Sequence, residues 1–107
     1  MKGYQITFFT QQAHRHHGKP LGQWLLLIAR EMGLPGATLI AGSEGYGQHR
    51  RIHSTHFFEL ADQPQEIQIA ASEADTERLF ERLKAEGVQV FYVMSPVEFG
   101  MLGGAES

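Results

Sequence analysis

Cysteine is absent from this chain of 107 residues. Its absence excludes disulfide frameworks, thiol nucleophiles, thiol redox chemistry and cysteine-built zinc sites. Long apolar runs are missing too. The longest, Trp24 to Ala29, falls far short of the roughly 20 residues that cross a bilayer, so direct membrane insertion is not expected. No basic-then-apolar leader precedes the first strand-like segment, and the expected compartment is the cytoplasm. A Walker motif is lacking as well. The single Gly-Lys pair, Gly18-Lys19, is followed by Pro20, and Ala13 stands where the first glycine belongs, which leaves no signature of a nucleotide hydrolase.

Acidic side chains are scarce in the first half. Residues 1–56 hold only Glu31 and Glu44 among the twelve acids, but six of the nine Lys/Arg and all six histidines. A basic half on a chain of net charge −3 suggests a local anion site more than a nucleic-acid binder, whose basic surface usually dominates the domain. Apolar residues make up 42% and charged residues 20% of the chain, as in one small folded domain.

Tyr4, Ile6 and Phe8 alternate with Gln5, Thr7 and Phe9, the period of a strand. Pro20 suits the first turn of a helix, and Leu21, Trp24, Leu25, Ile28 and Met32 fall on one helical face. Trp24 reads as a core anchor. Gly33 supplies a left-handed stop and Pro35 forbids continuation. A β-type run spans Ala37 to Gly42, and a glycine-rich loop reaches about His53. Thr55 to Leu60 is strand-like, Asp62-Gln63-Pro64 interrupts it, and Ile67 to Ala70 alternate again. Ser72 with Asp75 has the form of a capping box, opening a helix that buries Leu79, Phe80 and Leu83 and stops at Gly87. Val88 to Met94 form the last strand. The order β-α-β-β-β-α-β is an α+β, ferredoxin-like split βαβ sandwich with one added strand and two helices on one face of an antiparallel sheet. The domain is expected to span residues 1–98, with a flexible, glycine-rich tail over 99–107. The outer segments carry apolar side chains in both registers: Phe9 beside Phe8, and Phe91 and Val93 alternating with Val90 and Tyr92. A sheet apolar on both faces calls for a partner on the uncovered one, so a sheet-to-sheet oligomer is expected.

Two segments offer chemistry. Gly42-Ser43-Glu44-Gly45-Tyr46-Gly47 follows a strand, and its glycines let backbone N–H groups approach an anion. Arg50 and Arg51 then supply forks that pair with phosphate oxygens, and Tyr46 is an aromatic that can stack on a base. The same glycines also suit plain turns. His14, His16 and His17 lie between the first strand and first helix beside Arg15 and Lys19. Three readings stand together for them: an anion site at Gly18-Lys19 near a helix start, a solvated loop, or transition-metal ligands. No carboxylate lies nearby in sequence to complete a metal set. His49, His53 and His56 form a second group. No Ser-His-Asp arrangement is legible, because the acids of the second half, Glu73 to Glu86, interleave with Arg78, Arg82 and Lys84 as on a solvated helix. An enzyme is not expected.

With these motifs in this order, the chain resembles the small PII-like proteins grouped as a domain of unknown function, relatives of the PII nitrogen-signalling proteins. The resemblance runs from Lys2 to about Val97. It rests on His17-Gly18-Lys19-Pro20-Leu21, on Gly36-Ala37-Thr38, on Gly42-x-x-Gly45-Tyr46-Gly47 followed by Arg51-x-His53, and on a strand beginning just after Pro64. It implies a ferredoxin-like homotrimer packed through its sheets, with a mobile loop after the second strand. It further implies an adenine nucleotide effector held between subunits. The loop, residues 43–53, would act on a partner, a membrane transporter or channel or an enzyme. Candidate ligand-binding residues are Lys19, Gly42, Gly45, Gly47, Arg50 and Arg51. Relatives commonly carry a basic residue just before the loop glycine; here that position is Ala41, and Arg50 and Arg51 would have to supply the charge. Without ligand, residues 44–52 are expected to be poorly ordered. The superfamily also implies an alternative, a divalent-metal-binding trimer like the cation-tolerance proteins, which would use His14, His16, His17, His49 and His53.

Overall fold

Nine residues of alternating burial pair with ten: β7 (Pro64–Ser72) lies antiparallel to β1 (Lys2–Gln11), with Ile6 opposite Ile69 and Phe8 opposite Ile67. This computed structural model describes residues 1–42, 44–46, 52–54 and 63–103. On the outer side of β7 runs β4 (Ala37–Ala41), and on the outer side of β1 runs β8 (Phe91–Glu98). The sheet order is β4-β7-β1-β8, antiparallel throughout. Two short ribbons complete the strands among the described residues: β2 (Arg15–His16) with β3 (Lys19–Pro20), and β5 (Glu44–Tyr46) with β6 (Ile52–Ser54). The expected α+β, ferredoxin-like architecture is therefore present. The added strand expected at Thr55–Leu60 lies outside the described residues.

One face of the sheet is covered by α1 (Leu21–Glu31) and α2 (Glu73–Ala85). Ile6, Phe8, Ile67 and Ile69 meet Leu21, Trp24, Leu25 and Ile28 of α1 and Leu79 and Leu83 of α2 in one buried cluster. Trp24 is the core anchor that its spacing implied, 6% exposed. Burying side chains of this size contributes about 1.5–3 kcal/mol each. Both helices end alike. Gly33 (φ 71°) and Gly87 (φ 73°) take left-handed conformations, and the next residue's N–H bonds five residues back, Leu34 to Ala29 O and Val88 to Leu83 O, both at 3.0 Å. These are Schellman stops. At the start of α2 the Ser72 hydroxyl accepts from the Asp75 N–H at 3.1 Å. Pro20 sits one place earlier than expected: it is the N-cap of α1, with extended ψ 134°, and the helix begins at Leu21.

The last strand is shifted from its expected place. Val88 and Val90 are apolar because they pack against the core, and pairing begins only at Phe91, opposite Phe9. It continues past Val97: Phe99 donates to Met1 O at 2.9 Å and accepts from the Met1 amino group at 2.8 Å. Beyond it, Met101 and Leu102 are exposed.

Among the described residues, nothing covers the opposite face of the sheet. Cross-strand partners share a face, so Phe9 and Phe91 stand together there, rings 5.7 Å apart, with Val93 beside them and Ile40 on β4. Phe91 is 62% and Val93 51% exposed. Tyr92, on the helix side, instead meets Phe80 edge-on at 4.9 Å. The two-faced apolar pattern of the sequence is thus realised.

Gly3 fixes how closely β1 and β7 approach at this end. A Cβ there would overlap the Ala71 carbonyl oxygen, a backbone atom that cannot swing aside. Gly3→Ala should therefore destabilise the fold by about 1–3 kcal/mol, more than the unfolded-state stiffening of about 0.4–1 kcal/mol can offset. Urea unfolding of the two proteins measures the difference, and equal midpoints would refute the close approach.

Candidate functional site

Between β1 and α1 the chain makes a tight ribbon whose turn is His17-Gly18, flanked by the His16–Lys19 and Arg15–Pro20 pairs. Both turn residues have positive φ, 54° for His17 and 77° for Gly18, as a type I′ hairpin requires. Glycine enters this region freely, whereas a histidine pays a steric cost to do so. The geometry has a consequence for the rings. Successive side chains of an extended strand point to opposite sides, but the left-handed turn brings the His17 ring to within 4.2 Å of the His16 ring, centroid to centroid.

Facing both rings is Glu86, the residue that ends α2. Its Oε1 accepts from His17 Nε2 at 2.9 Å and from His16 Nε2 at 3.3 Å, while Oε2 accepts from Arg82 Nε at 3.1 Å. Arg82 also lies 3.9 Å from Glu31 of α1. The Trp24 ring backs His16 edge-on at 4.3 Å, so His16 is mostly buried while His17 is open to solvent. Hydrogen bonds from His17, His16 and Arg82, in that order of weight, hold the Glu86 carboxyl at about 2, against an ordinary 4.5. Partial burial opposes this only weakly. His16, His17 and Glu86 each offer one donor atom, all within 4.8 Å of one another, the group of metal-ligating type found among the described residues. No carboxylate stands near these histidines in sequence: Glu86 lies some seventy positions away, in a pattern that matches a solvated helix face.

The other candidates separate. His14 leaves this cluster and its Nδ1 sits 3.0 Å from Thr10 Oγ1. Its carbonyl accepts the Leu21 N–H at 2.6 Å, tying the ribbon to the first turn of α1. Lys19 is exposed on β3. Gly42 donates its N–H to Pro64 O at 2.8 Å, extending the β4–β7 ladder, so what it offers an anion is its missing side chain rather than its amide. Gly45 and His53 are a register pair of the β5–β6 ribbon. Gly47, His49, Arg50, Arg51 and His56 lie outside the described residues, as does most of the stretch expected to be poorly ordered. The chain leaves β4 and enters β7 at neighbouring positions, where Ala41 stands opposite Gln65.

Comparison with known proteins gives a consistent picture. Residues 3–99 match the model of the DUF190 family, described as an uncharacterized ACR. A protein of Aquifex aeolicus (strain VF5), named a UPF0166 protein, is 31% identical over a match covering 82% of this chain and 92% of that one. Among solved structures, the fold is similar to that of CPII, a nitrogen regulatory PII-like protein from Thiomonas intermedia K12, in a structure bound to ADP, AMP and bicarbonate. There the TM-score is 0.67 at 17% identity, covering 94% of this chain and 91% of CPII. A putative PII-like signalling protein from Thermus thermophilus gives 0.66 at 17% identity, with 91% and 88% covered.

The depressed Glu86 carboxyl has a sign that acid unfolding can read. A carboxyl held below its unfolded value adds stability that is whole above about 4.5 and is lost as the pH falls through about 2. In Glu86→Gln the drop in stability across that window should be shallower than in the parent. Thermal melts at stepped pH measure it, and superimposable profiles would show that the carboxylate does not hold the ribbon.

Proposed function

The chain belongs to the DUF190 family, and on that premise we propose that it is a non-enzymatic, PII-like ligand sensor that binds an adenine nucleotide or a similar phosphate anion. The observation that carries the reading is the excursion between β4 and β7. Adjacent antiparallel strands need only two to five residues to join them, yet here the chain departs at Gly42 and returns at Gln63. Long connections between strands of a rigid sheet are where binding and signalling are usually placed. This one carries three glycines and the adjacent Arg50 and Arg51. The fold likeness to CPII, whose structure holds ADP and AMP, supports the choice of ligand class.

In this reading the working unit is a homotrimer. The uncovered face with Phe9, Phe91 and Val93 would gain about 1.5–3 kcal/mol for each such side chain buried, from which association costs are subtracted. Clefts between subunits would hold the nucleotide. Gly42, Gly45 and Gly47 would let the backbone come close, Arg50 and Arg51 would fork onto phosphate oxygens, and Lys19 would reach in from elsewhere in the trimer. Ligand would reshape residues 43–53 for a partner protein in the cytoplasm, a transporter, channel or enzyme. Nucleic acid is not a partner in this scheme, and no chemical step is required.

Two measurements test it. Sedimentation at micromolar concentration should give a trimer, and Phe91→Glu should dissociate it; a monomeric parent removes any intersubunit cleft. Calorimetry with ADP and AMP should show binding that falls at least tenfold when Arg50 and Arg51 are both replaced by Ala. A desolvated, charge-assisted hydrogen bond contributes about 1.5–3 kcal/mol, and tenfold needs about 1.4. Undiminished affinity in the double variant would sink the phosphate cradle.

A further inference from the structure

We infer that His16, His17 and Glu86 form a binding site for a divalent transition metal of the zinc class, which clips the β2–β3 ribbon to the C-terminal end of α2. The inference stands apart from the nucleotide reading, since none of its residues belongs to the 43–53 excursion.

Donor chemistry comes first. Two imidazole nitrogens and one carboxylate oxygen are a common set for such a metal, leaving a fourth position for water or a ligand. Spacing comes second. A tetrahedral ion with bonds of about 2.0–2.1 Å holds its donor atoms roughly 3.3 Å apart. Glu86 Oε1 already lies 2.9 Å from His17 Nε2 and 3.3 Å from His16 Nε2. Each imidazole needs only to carry its proton on Nδ1 for Nε2 to present a lone pair.

The surroundings fit the same role. Both rings converge on Oε1, and Arg82 holds Oε2, so one carboxylate oxygen is oriented from outside while the other faces the rings, the arrangement by which outer partners aim a ligand. Trp24 fixes the plane of His16 from its apolar side. The left-handed backbone of His17 is a local strain of the kind that persists where a side chain must be aimed. Asparagine would form the turn more readily, but would leave the cluster one ring short. Of the nearby cations, Arg15 is turned onto the Gly18 carbonyl at 3.2 Å, Arg82 engages the other Glu86 oxygen and lies 3.9 Å from Glu31, and Lys19 is exposed to solvent.

The test uses Zn²⁺ alone, with no nucleotide, on the full chain, with His17→Asn and Glu86→Gln as variants. Asn is at ease in the left-handed turn, which offsets the lost His17–Glu86 hydrogen bond, so metal-free His17→Asn should melt close to the parent temperature, which separates ligation from folding. Calorimetry should give one Zn²⁺ per chain in the parent and at least tenfold weaker binding in each variant. Zn²⁺ should raise the parent melting temperature and leave that of His17→Asn nearly unchanged. Co²⁺ in place of Zn²⁺ should show the visible absorption of a low-coordinate site in the parent only. The site is overturned if the parent takes up no Zn²⁺, or if His17→Asn binds it as tightly as the parent, which would assign the metal to other histidines.

Discussion

Ile6 and Phe8 on β1 and Ile67 and Ile69 on β7 make a continuous apolar plate, each essentially inaccessible to water. Every other element takes its position from that plate. The two helices lie on it because Leu21, Leu25 and Ile28 of α1 and Leu79 and Leu83 of α2 have nowhere else to bury comparable area. Once they are seated, the Schellman stops at Gly33 and Gly87 decide where the chain emerges toward β4 and β8. The plate also dictates what the reverse face carries, since a strand that turns Phe8 inward must turn Phe9 outward. An apolar reverse face is then a cost to a lone chain and a gain to an assembled one.

The same seating brings the two ends of the site together. Glu86 follows directly on α2, and the ribbon that carries His16 and His17 leads directly into α1 through the Leu21–His14 hydrogen bond. A contact between residues about seventy positions apart is therefore a report on how the two helices sit side by side. Arg82 strengthens that link by spanning from Glu86 toward Glu31 on the neighbouring helix.

Much of this was legible in the amino-acid order. Tyr4 to Phe9 alternate cleanly, the Trp24 face repeats at helical spacing, and Ser72, Gly33 and Gly87 punctuate the helices by mechanisms that act over a few residues. What escaped notice lacks local periodicity. Two-residue strands such as Arg15–His16 have no pattern to detect, and Val88 and Val90 resemble strand because a buried approach and a paired strand use the same side chains. The Gly42 amide seemed free for a ligand until β7 supplied Pro64 O as its acceptor. Glu86 looked solvated because it closes a helix rich in charge, and only the packing of α2 against the ribbon revealed its partners.

The chain contains a single tryptophan, and its indole lies edge-on against His16 at 4.3 Å. The protein therefore carries its own optical reporter at the cluster. Its emission depends on where the His16 ring lies, without any label, and no second indole is present to dilute the signal.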